Sequence, residues 1–220
     1  MTRDEAIDII LMRCGRRESN EFFRQVCISE MALAQQTKLE RADFKPWFLL
    51  SEMMRATTGI DESRLPLPPL FLEEHEEGTL WLKDPASGVW VPIVRGDEDQ
   101  LQVAYEGVLG GPPERYSIVR GYFVLYPTPD IQYSLKMRCY LREPTLTAPY
   151  GTVPAATNSW LTEAPDWLIA ETGAIVAGQH IKDRDTANEF AQQAKDARTS
   201  VYTQHVIREE MNRERSAGDD

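Results

Sequence analysis

The chain has 220 residues, 42% of them hydrophobic and 27% charged, which is ordinary for a globular protein long enough to bury a core. Its formal net charge of −11 opposes binding to nucleic acid and to anionic membranes. The cysteines Cys14, Cys27 and Cys139 form no CxxC pair and argue against a disulfide framework, so we expect them to be reduced and buried. The polar N-terminus predicts no signal peptide, and no apolar run approaches the roughly 20 residues of a membrane span. We therefore expect a soluble, intracellular chain.

The beginning of the chain has the periodicity of an amphipathic helix. Thr2 and Glu5 have the spacing of a capping box, in which each side chain bonds the backbone of the other residue. Apolar residues then recur at helical intervals as far as Cys14. We predict a helix over residues 3–14.

A second amphipathic segment follows after a short polar turn. Ser19 or Asn20 can cap this helix, which we predict over residues 20–39. Two helices joined in this way form a hairpin that cannot close a core by itself. Residues 1–45 are therefore predicted to be the first half of a helical bundle that is completed elsewhere in the chain.

The character of the sequence changes over residues 46–154, where prolines and glycines concentrate. IQYSLKMRCYLR alternates apolar and polar positions with a period of two, which is typical of a half-buried strand. YFVLY and the turn PTPD precede it, so we predict a hairpin over residues 122–142. Arg120–Gly121 is expected to join the strand YSIV to the same meander, and LWL and WVPIV to form another hairpin around residues 86–88. This block is predicted to be a small antiparallel β-domain.

Helical periodicity returns in residues 155–201. Pro165 suits the first position of a helix, and between Trp167 and Ile181 only Glu171 carries a formal charge. We therefore predict a helix over residues 165–182 that is surrounded by other helices. Its small residues would allow tight packing within a subunit or between subunits: Gly173, Ala174, Ala177 and Gly178.

The last predicted helix covers residues 184–216 and would be roughly 50 Å long at 1.5 Å per residue. Phe190 lies on its apolar stripe and is predicted to share the bundle core with Trp167. Residues 155–201 would form the second half of the bundle, and residues 202–220 a C-terminal helical extension. The predicted fold class is α+β: a discontinuous four-helix bundle with a long C-terminal helix and an inserted small antiparallel β-domain.

Motifs for catalysis, cofactors and metals are absent from the sequence. It contains no GxSxG, GxxxxGK[ST] or GxGxxG, and neither His180 nor His205 belongs to an HExxH spacing. His75 lies in EEHEE, where neighbouring side chains of an extended segment point to opposite faces, so a solvated acidic patch is the favoured interpretation. We predict no catalytic residue, no cofactor and no metal. A metal-dependent hydrolase centred on His75 is the less favoured alternative.

Three cations, Lys136, Arg138 and Arg142, form a basic stripe along the predicted strand. Such a stripe could touch nucleic acid, but three cations on a solvent-exposed face are common. The acidic remainder of the chain also weakens this interpretation. The role of the basic stripe stays open on sequence alone.

Four segments follow one another between about Phe22 and Glu210: PWFLLSEMMRATTG, RLPLPPLFLEEHEEGTLWL, YFVLYPTPD with a strand, and NSWLTEAPDWLIAETGAIVAG. Their order and spacing resemble those of the head-to-tail adaptor (connector) proteins of tailed bacteriophages. The resemblance implies a structural virion protein at the portal vertex, assembled in the host cytoplasm as a homo-oligomeric ring, usually of twelve copies. The ring is expected to dock on the portal protein, to extend the DNA channel without sequence-specific binding and to seat the tail or nozzle protein. Another phage ring protein, such as a stopper or tail-completion protein, is the alternative.

The resemblance implies that the portal protein is the partner of the C-terminal extension. Apolar positions there are spaced for a helix-in-groove contact, and arginines could pair with carboxylates at the rim of the portal. The alternative is a frayed chain end without a role. The predicted portal-binding residues are Tyr202, Val206, Ile207, Arg208, Met211, Arg213 and Arg215.

Overall fold

The chain folds as two compact units. One unit, here called the helical unit, comprises Met1–Leu49 and Glu143–Asp220, and the other, the sheet unit, comprises Leu50–Arg142. The domain boundaries expected from the sequence stay a prediction. The computed structural model describes residues 1–16, 21–75, 79–151 and 156–217, with side chains as far as residue 211.

Six α-helices and nine β-strands occur in the described ranges. The helices are α1 (Arg3–Arg13), α2 (Glu21–Ala34), α3 (Glu98–Ala104), α4 (Ser159–Glu163), α5 (Pro165–Ile175) and α6 (Arg184–Ala217). The strands are β1 (Met54–Thr57), β2 (Arg64–Pro66), β3 (Phe71–Glu74), β4 (Leu80–Lys83), β5 (Trp90–Arg95), β6 (Arg115–Val119), β7 (Tyr122–Tyr126), β8 (Ser134–Met137) and β9 (Cys139–Leu141). None of the described helices has the length and apolar character that crossing a membrane requires.

The start of α1 follows local capping rules. The predicted capping box of α1 is confirmed: the Glu5 amide donates to the Thr2 hydroxyl at 3.3 Å, and the Thr2 amide donates to the Glu5 carboxylate at 2.8 Å. Ser19 and Asn20, the predicted caps of α2, lie outside the described residues. One π-helical turn, Gln35–Leu39, extends α2, and another, Val176–Ile181, extends α5.

Helix α5 lies at the centre of the helical unit. It packs against α1, α2, α4 and α6, and most of its side chains are buried. Apart from Asp166 and Glu171, α5 carries no charged side chain, so most of its surface prefers apolar neighbours to water.

Aromatic side chains tie the start of α5 to the segment that follows α2. The Trp167 ring lies 5.8 Å from the Trp160 ring in an edge-on contact and 5.8 Å from the Phe44 ring in a stacked contact. Phe48 meets Trp160 edge-on at 4.9 Å. Only 2% of the Trp167 surface is exposed. These contacts fix residues 44–48 against α4 and α5.

Gly173 on α5 lies directly against the side chain of Phe190 on α6. A Cβ atom at this position would lie 2.6 Å from the ring of Phe190, which is fully buried. The guanidinium of Arg13 lies 4.1 Å above the same ring. Phe190 is therefore held between the backbone of α5 and a side chain of α1.

The sheet unit is built on a seven-stranded, curled mixed sheet, or half-barrel, with the strand order β1-β8-β4-β5-β6-β7-β2. Strands β5 and β6 are parallel, and the other neighbouring pairs are antiparallel. Strands β3 and β9 form a separate pair. The hydrophobic core lies on one face of the large sheet and includes Leu82, Phe123 and Leu135.

The predicted fold class is wrong, because the chain is not a helix-dominated four-helix bundle with a small antiparallel β-domain. The predicted hairpin over residues 122–142 does not form: β7 pairs with β6 and β2, whereas β8 pairs with β1 and β4. IQYSLKMRCYLR is not one strand either, since β8 ends at Met137 and β9 pairs with β3. The long-range partners of β7, β8 and β9 come from residues 54–83, a proline-rich part of the chain with no clear periodicity. These long-range partners determine the pairing.

Two local strand predictions are confirmed. Strands β4 and β5 pair as the hairpin expected around residues 86–88, with Leu80 opposite Ile93. Strands β6 and β7 are joined by the expected turn at Arg120–Gly121, where φ is 48° and 87°. Both turns connect strands that are adjacent in sequence, so local chemistry suffices to specify them.

Helix α3 is the main element of the sheet unit that the sequence analysis missed. Asp97 caps it by accepting from the Gln100 amide at 3.2 Å. The Glu98 carboxylate accepts hydrogen bonds from the hydroxyls of Ser117 and Tyr126, the latter at 2.9 Å. Burial and the neighbouring Glu98 raise the pKa of Tyr126 to about 12. These bonds hold α3 on β6 and β7 and so support the parallel crossover between β5 and β6.

The three cysteines are buried and unbonded, as predicted. Burial raises the pKa of the Cys27 thiol to about 12 and that of the Cys139 thiol to about 11. A thiol with so high a pKa is a poor nucleophile at neutral pH. These side chains act as small hydrophobic residues of the two units.

We expect Trp167→Ala to destabilise the helical unit by about 3–5 kcal/mol, because it removes a buried aromatic ring with two ring contacts. The measurement is chemical denaturation followed by far-UV circular dichroism. Phe22→Ala serves as the control, since Phe22 is exposed and its loss should change the free energy of unfolding by much less. Equal effects of the two substitutions would contradict the central position of Trp167.

Gly173→Ala should destabilise the helical unit by about 1–3 kcal/mol, because the added methyl group overlaps the confined ring of Phe190. Gly178→Ala is a matched control, since its Cβ would lie 3.5 Å from Ala187, an ordinary contact. We expect this control to be neutral or slightly stabilising. The comparison uses thermal unfolding of both variants, and a neutral Gly173→Ala would show that α5 and α6 are not held as closely as described.

Candidate partner-binding surface on the C-terminal helix

The C-terminal half of α6 packs on the segment that follows α2. The Phe44 ring meets the Tyr202 ring edge-on at 5.2 Å and lies 5.9 Å from the His205 ring. Further along, the Arg208 guanidinium lies 4.2 Å above the Trp47 ring. On this side the helix is therefore anchored to its own unit well past residue 201.

Burial confirms which side of α6 faces the unit. Val201 and His205 are buried, and an ion pair between Arg198 and Asp43 closes the contact at its N-terminal end. His205 also contacts Glu209 one turn later, at 3.3 Å. A groove of about 310 Å³ runs beside these contacts, lined by Asp43, Phe44, Lys195, Arg198, Thr199 and Tyr202.

A second groove lies on another side of α6, between this helix, α1 and α5. Its volume is about 430 Å³, and it is lined by Met1, Ile9, Arg13, Asp166, Ile169, Gln193, Asp196, Ala197 and Ser200. From α6 it takes Gln193, Asp196, Ala197 and Ser200. Gln193, Ala197 and Ser200 are spaced by three or four residues and so share one face of the helix.

The same helical face continues beyond this groove. Gln204, Ile207 and Met211 follow Ser200 at intervals of three and four residues. All three are exposed, and Ile207 and Met211 each leave 49% of their surface open. We call the face formed by Gln193, Ala197, Ser200, Gln204, Ile207 and Met211 the α6 stripe. It begins in a groove and ends in two exposed apolar side chains.

The structure divides the predicted portal-binding residues between two sides of α6. Tyr202 and Arg208 contact the unit's own Phe44 and Trp47, although Tyr202 remains half exposed. Val206 is half-buried, whereas Ile207 and Met211 belong to the exposed α6 stripe. Arg213 and Arg215 lie in α6, but their side chains are outside the described part.

The residues predicted to mediate packing lie mainly inside the helical unit. Trp167, Gly173 and Phe190 are buried where α5 meets its neighbours, and Ala177 is buried in the π-helical turn after α5. Ala174 and Gly178 are half-buried. The sequence analysis missed the role of residues 43–47, for which the aromatic run FKPWF after a helix was the available signal.

Histidines and acidic residues form no evident metal centre in the described ranges, where no group of three or more His, Cys, Asp or Glu side chains is placed to hold an ion. The His75 ring lies 5.9 Å from the Tyr140 ring, and the His75 amide donates to the Thr79 hydroxyl at 3.0 Å. Glu74, the carboxylate before His75, binds Tyr116 and Arg95. His180 contacts Glu30 at 2.9 Å.

The predicted basic stripe is not one continuous surface. Lys136 belongs to β8 and lies over two tryptophan rings, whereas Arg138 follows the end of β8 and donates to the Ser51 carbonyl oxygen at 3.3 Å. Arg142 follows β9, which pairs with β3. The break between β8 and β9 therefore separates Lys136 from Arg142.

Comparison with known proteins identifies a family to which this sequence is similar. A family model described as SU10 adaptor protein matches residues 28–217, which is most of the chain. No curated protein matches the sequence. The match agrees with the resemblance to head-to-tail adaptors and with a structural role in the virion. The chain therefore belongs to the SU10 adaptor protein family.

Proposed function

We propose that the chain assembles into a ring that docks on the portal protein, extends the DNA channel and seats the tail. Membership in the SU10 adaptor protein family supports a structural adaptor of a phage. The observation that carries the docking part of the proposal is the exposed end of the α6 stripe.

The α6 stripe has the features of a helix-in-groove contact. Such contacts use apolar anchors three or four residues apart on one face of an amphipathic helix. Ile207 and Met211 provide two such anchors, and contacts of Tyr202 and Arg208 with Phe44 and Trp47 hold the helix in place. Because the helix is already ordered on its own unit, docking costs less conformational entropy than folding a free tail would. The portal segment is proposed to lie along Gln204, Ile207 and Met211.

Charge supports the role as a DNA conduit. The chain carries a formal net charge of −11, so a ring of many copies is strongly acidic. An acidic wall repels phosphate and releases no counterions from DNA, which leaves the duplex free to move along the channel. Sequence-specific contacts are not part of the proposed function.

We expect Ile207→Ser with Met211→Ser to reduce attachment to purified portal particles by at least tenfold, since two apolar anchors would be lost from the interface. The measurement is co-sedimentation of the chain with portal particles, quantified over a series of chain concentrations. Deleting residues 202–220 is a less specific test, because it also removes the side chains that pack on Phe44 and Trp47.

Met12→Ser with Leu33→Ser is the matched control for this experiment. These residues lie elsewhere in the helical unit and are 49% and 48% exposed, almost the same as the two anchors. Attachment of the control should equal that of the wild-type chain. Undiminished attachment of the Ile207/Met211 variant would contradict docking through the α6 stripe, and binding to tail components alone would assign the chain to a stopper or tail-completion role.

The isolated chain should be largely monomeric and should form rings only on the portal template. Docking places subunits side by side and raises their effective concentration, so weak contacts between subunits then suffice. Sedimentation velocity with and without portal particles measures this difference. A stable ring in free solution would contradict template dependence while leaving the adaptor role intact.

A further inference from the structure

One face of the sheet unit is basic and aromatic. Arg55, Lys136, Trp81 and Pro92 lie opposite one another on β1, β8, β4 and β5 and so form a row across four strands. In the next row on that face, Lys83 is paired with Trp90. The core residues of these strands alternate with this set and point to the opposite face of the sheet. We call these six residues the basic face.

Among the described residues, no carboxylate neutralises the cations of the basic face. Within the part of the chain that the structure describes, none of Arg55, Lys83 and Lys136 forms an ion pair with a carboxylate. The Lys136 ammonium lies 5.4 Å from the centre of the Trp81 ring and 4.9 Å from that of Trp90. Cation–π contacts keep this positive charge on the sheet surface without removing it. The face is thus available to a negatively charged partner.

A second surface of the same unit has the opposite charge. Helix α3 begins with Asp97, Glu98 and Asp99 and contains no cation. Asp97 and Asp99 are exposed, whereas Glu98 is half-buried by its bonds to Ser117 and Tyr126. Glu106 adds a further exposed carboxylate just after the helix.

Exposed apolar side chains accompany these carboxylates. Val103, one turn after Asp99, is 75% exposed, and Leu109 in the following loop is 88% exposed. Exposure of this degree is unfavourable for a large aliphatic side chain in water. We call the surface formed by Asp97, Asp99, Val103, Glu106 and Leu109 the α3 face.

Both faces lie on the side of the sheet that is turned away from the core. Ser117 and Tyr126, which bind α3, alternate along their strands with the core residues Tyr116 and Leu125. The basic face occupies the β1-β8-β4-β5 half of this side, and α3 occupies the β6-β7 half. One unit therefore presents two different surfaces, each combining apolar groups with charges of one sign.

We propose that the basic face of one copy binds the α3 face of a second copy, as a head-to-tail contact between neighbouring subunits. This inference rests on the ring of the proposed function and names the surfaces that join it. A head-to-tail contact uses two different patches of the same chain, which is the kind of interface that closes into rings. Carboxylates of the α3 face meet Arg55, Lys83 and Lys136, while Val103 and Leu109 meet Trp81 and Pro92.

Charge and geometry favour a second copy over nucleic acid as the occupant. Bases bind exposed tryptophans by stacking on their faces, but Lys136 already lies over the rings of Trp81 and Trp90. A carboxylate can approach Lys136, Lys83 and Arg55 without displacing any of them. The acidic chain also repels phosphate at long range. A matched acidic and apolar surface of the same chain satisfies both the charges and the exposed aliphatic groups.

Zero-length carbodiimide cross-linking of the isolated full chain tests the contact directly, because it joins a lysine amine to a touching carboxylate and can trap a weak, transient association. Mixing unlabelled and ¹⁵N-labelled chain separates links between copies from links within one copy by mass spectrometry. The expected product joins Lys83 or Lys136 of one copy to Asp97, Asp99 or Glu106 of another. A set of inter-copy links that omits this pairing would overturn the proposal.

Charge reversal supplies the second test. Arg55→Glu with Lys136→Glu, and separately Asp99→Lys with Glu106→Lys, should each lower the inter-copy cross-linking yield at the two faces at least tenfold. Combining all four substitutions in one chain should restore it, with amines and carboxylates exchanged between the faces. Lys38→Glu with Arg41→Glu makes the same charge change in the helical unit and should leave the yield unchanged.

The outcomes of these experiments distinguish a failure of this inference from a failure of portal docking. Thermal unfolding equal to that of the wild-type chain shows that the reversed variants are folded, as expected for exposed or half-buried positions. Restoration of the face-to-face link in the fourfold variant supports the contact, and failure of the fourfold variant to restore it overturns the contact. Portal attachment is expected to stay intact in all of these variants. If the wild-type chain cross-links as expected but does not bind portal particles, portal docking alone is overturned. If the wild-type chain binds single-stranded DNA and only the variant with Arg55→Glu and Lys136→Glu loses this binding, the basic face binds nucleic acid instead.

Discussion

The enclosure of α5 is the constraint on which the helical unit depends. Most side chains of this helix are apolar and buried, so its stability depends on the helices that pack around it. The contact between Gly173 and Phe190 sets how closely α6 approaches, and Arg13 from α1 confines the same ring. One small residue thereby links the positions of three helices. A larger side chain would force the helix that carries the candidate docking surface away from its support.

That support leaves α6 with an anchored side and an exposed side. Val201 and His205 face the unit, and Phe44 and Trp47 hold the helix by ring and cation–π contacts. Away from this anchored side, the α6 stripe leads from a groove to Ile207 and Met211. The C-terminal part of α6 would be marginal in water if it stood alone, because a short isolated helix gains too little to offset the cost of nucleation. Packing on one side is therefore what allows the other side to be presented in a defined conformation.

The sheet unit likewise buries one face and exposes the other. One face buries the hydrophobic core, and the alternation of side chains sends Arg55, Lys136 and Trp81 to the other face. The parallel step between β5 and β6 requires a crossover, and α3 provides it while carrying acidic and apolar groups to the surface. The topology thus produces two oppositely charged surfaces on one side of one sheet. Neither surface is needed for the core, which leaves both free for contacts between subunits.

The sequence by itself determined the features that depend on neighbouring residues. It predicted the capping box of α1, the extent of α6, the β4-β5 and β6-β7 turns and the burial of the cysteines, because capping, turn chemistry and periodicity act over a few residues. Segment order also carried the resemblance to phage adaptors, which the family match confirms.

Tertiary structure decided the features that depend on contacts between residues far apart in the sequence. IQYSLKMRCYLR alternates as a single strand, yet it divides at Arg138 because β1 and β4 pair with its first part and β3 with its second. The curled seven-stranded sheet replaced the predicted small antiparallel domain for the same reason, since strand partners separated by many residues leave no periodic signal. Packing likewise distinguished the side chains of the C-terminal helix, burying Val201 and His205 and leaving Ile207 exposed. Spacing along a helix specifies which residues share a face, but only packing determines which face is covered.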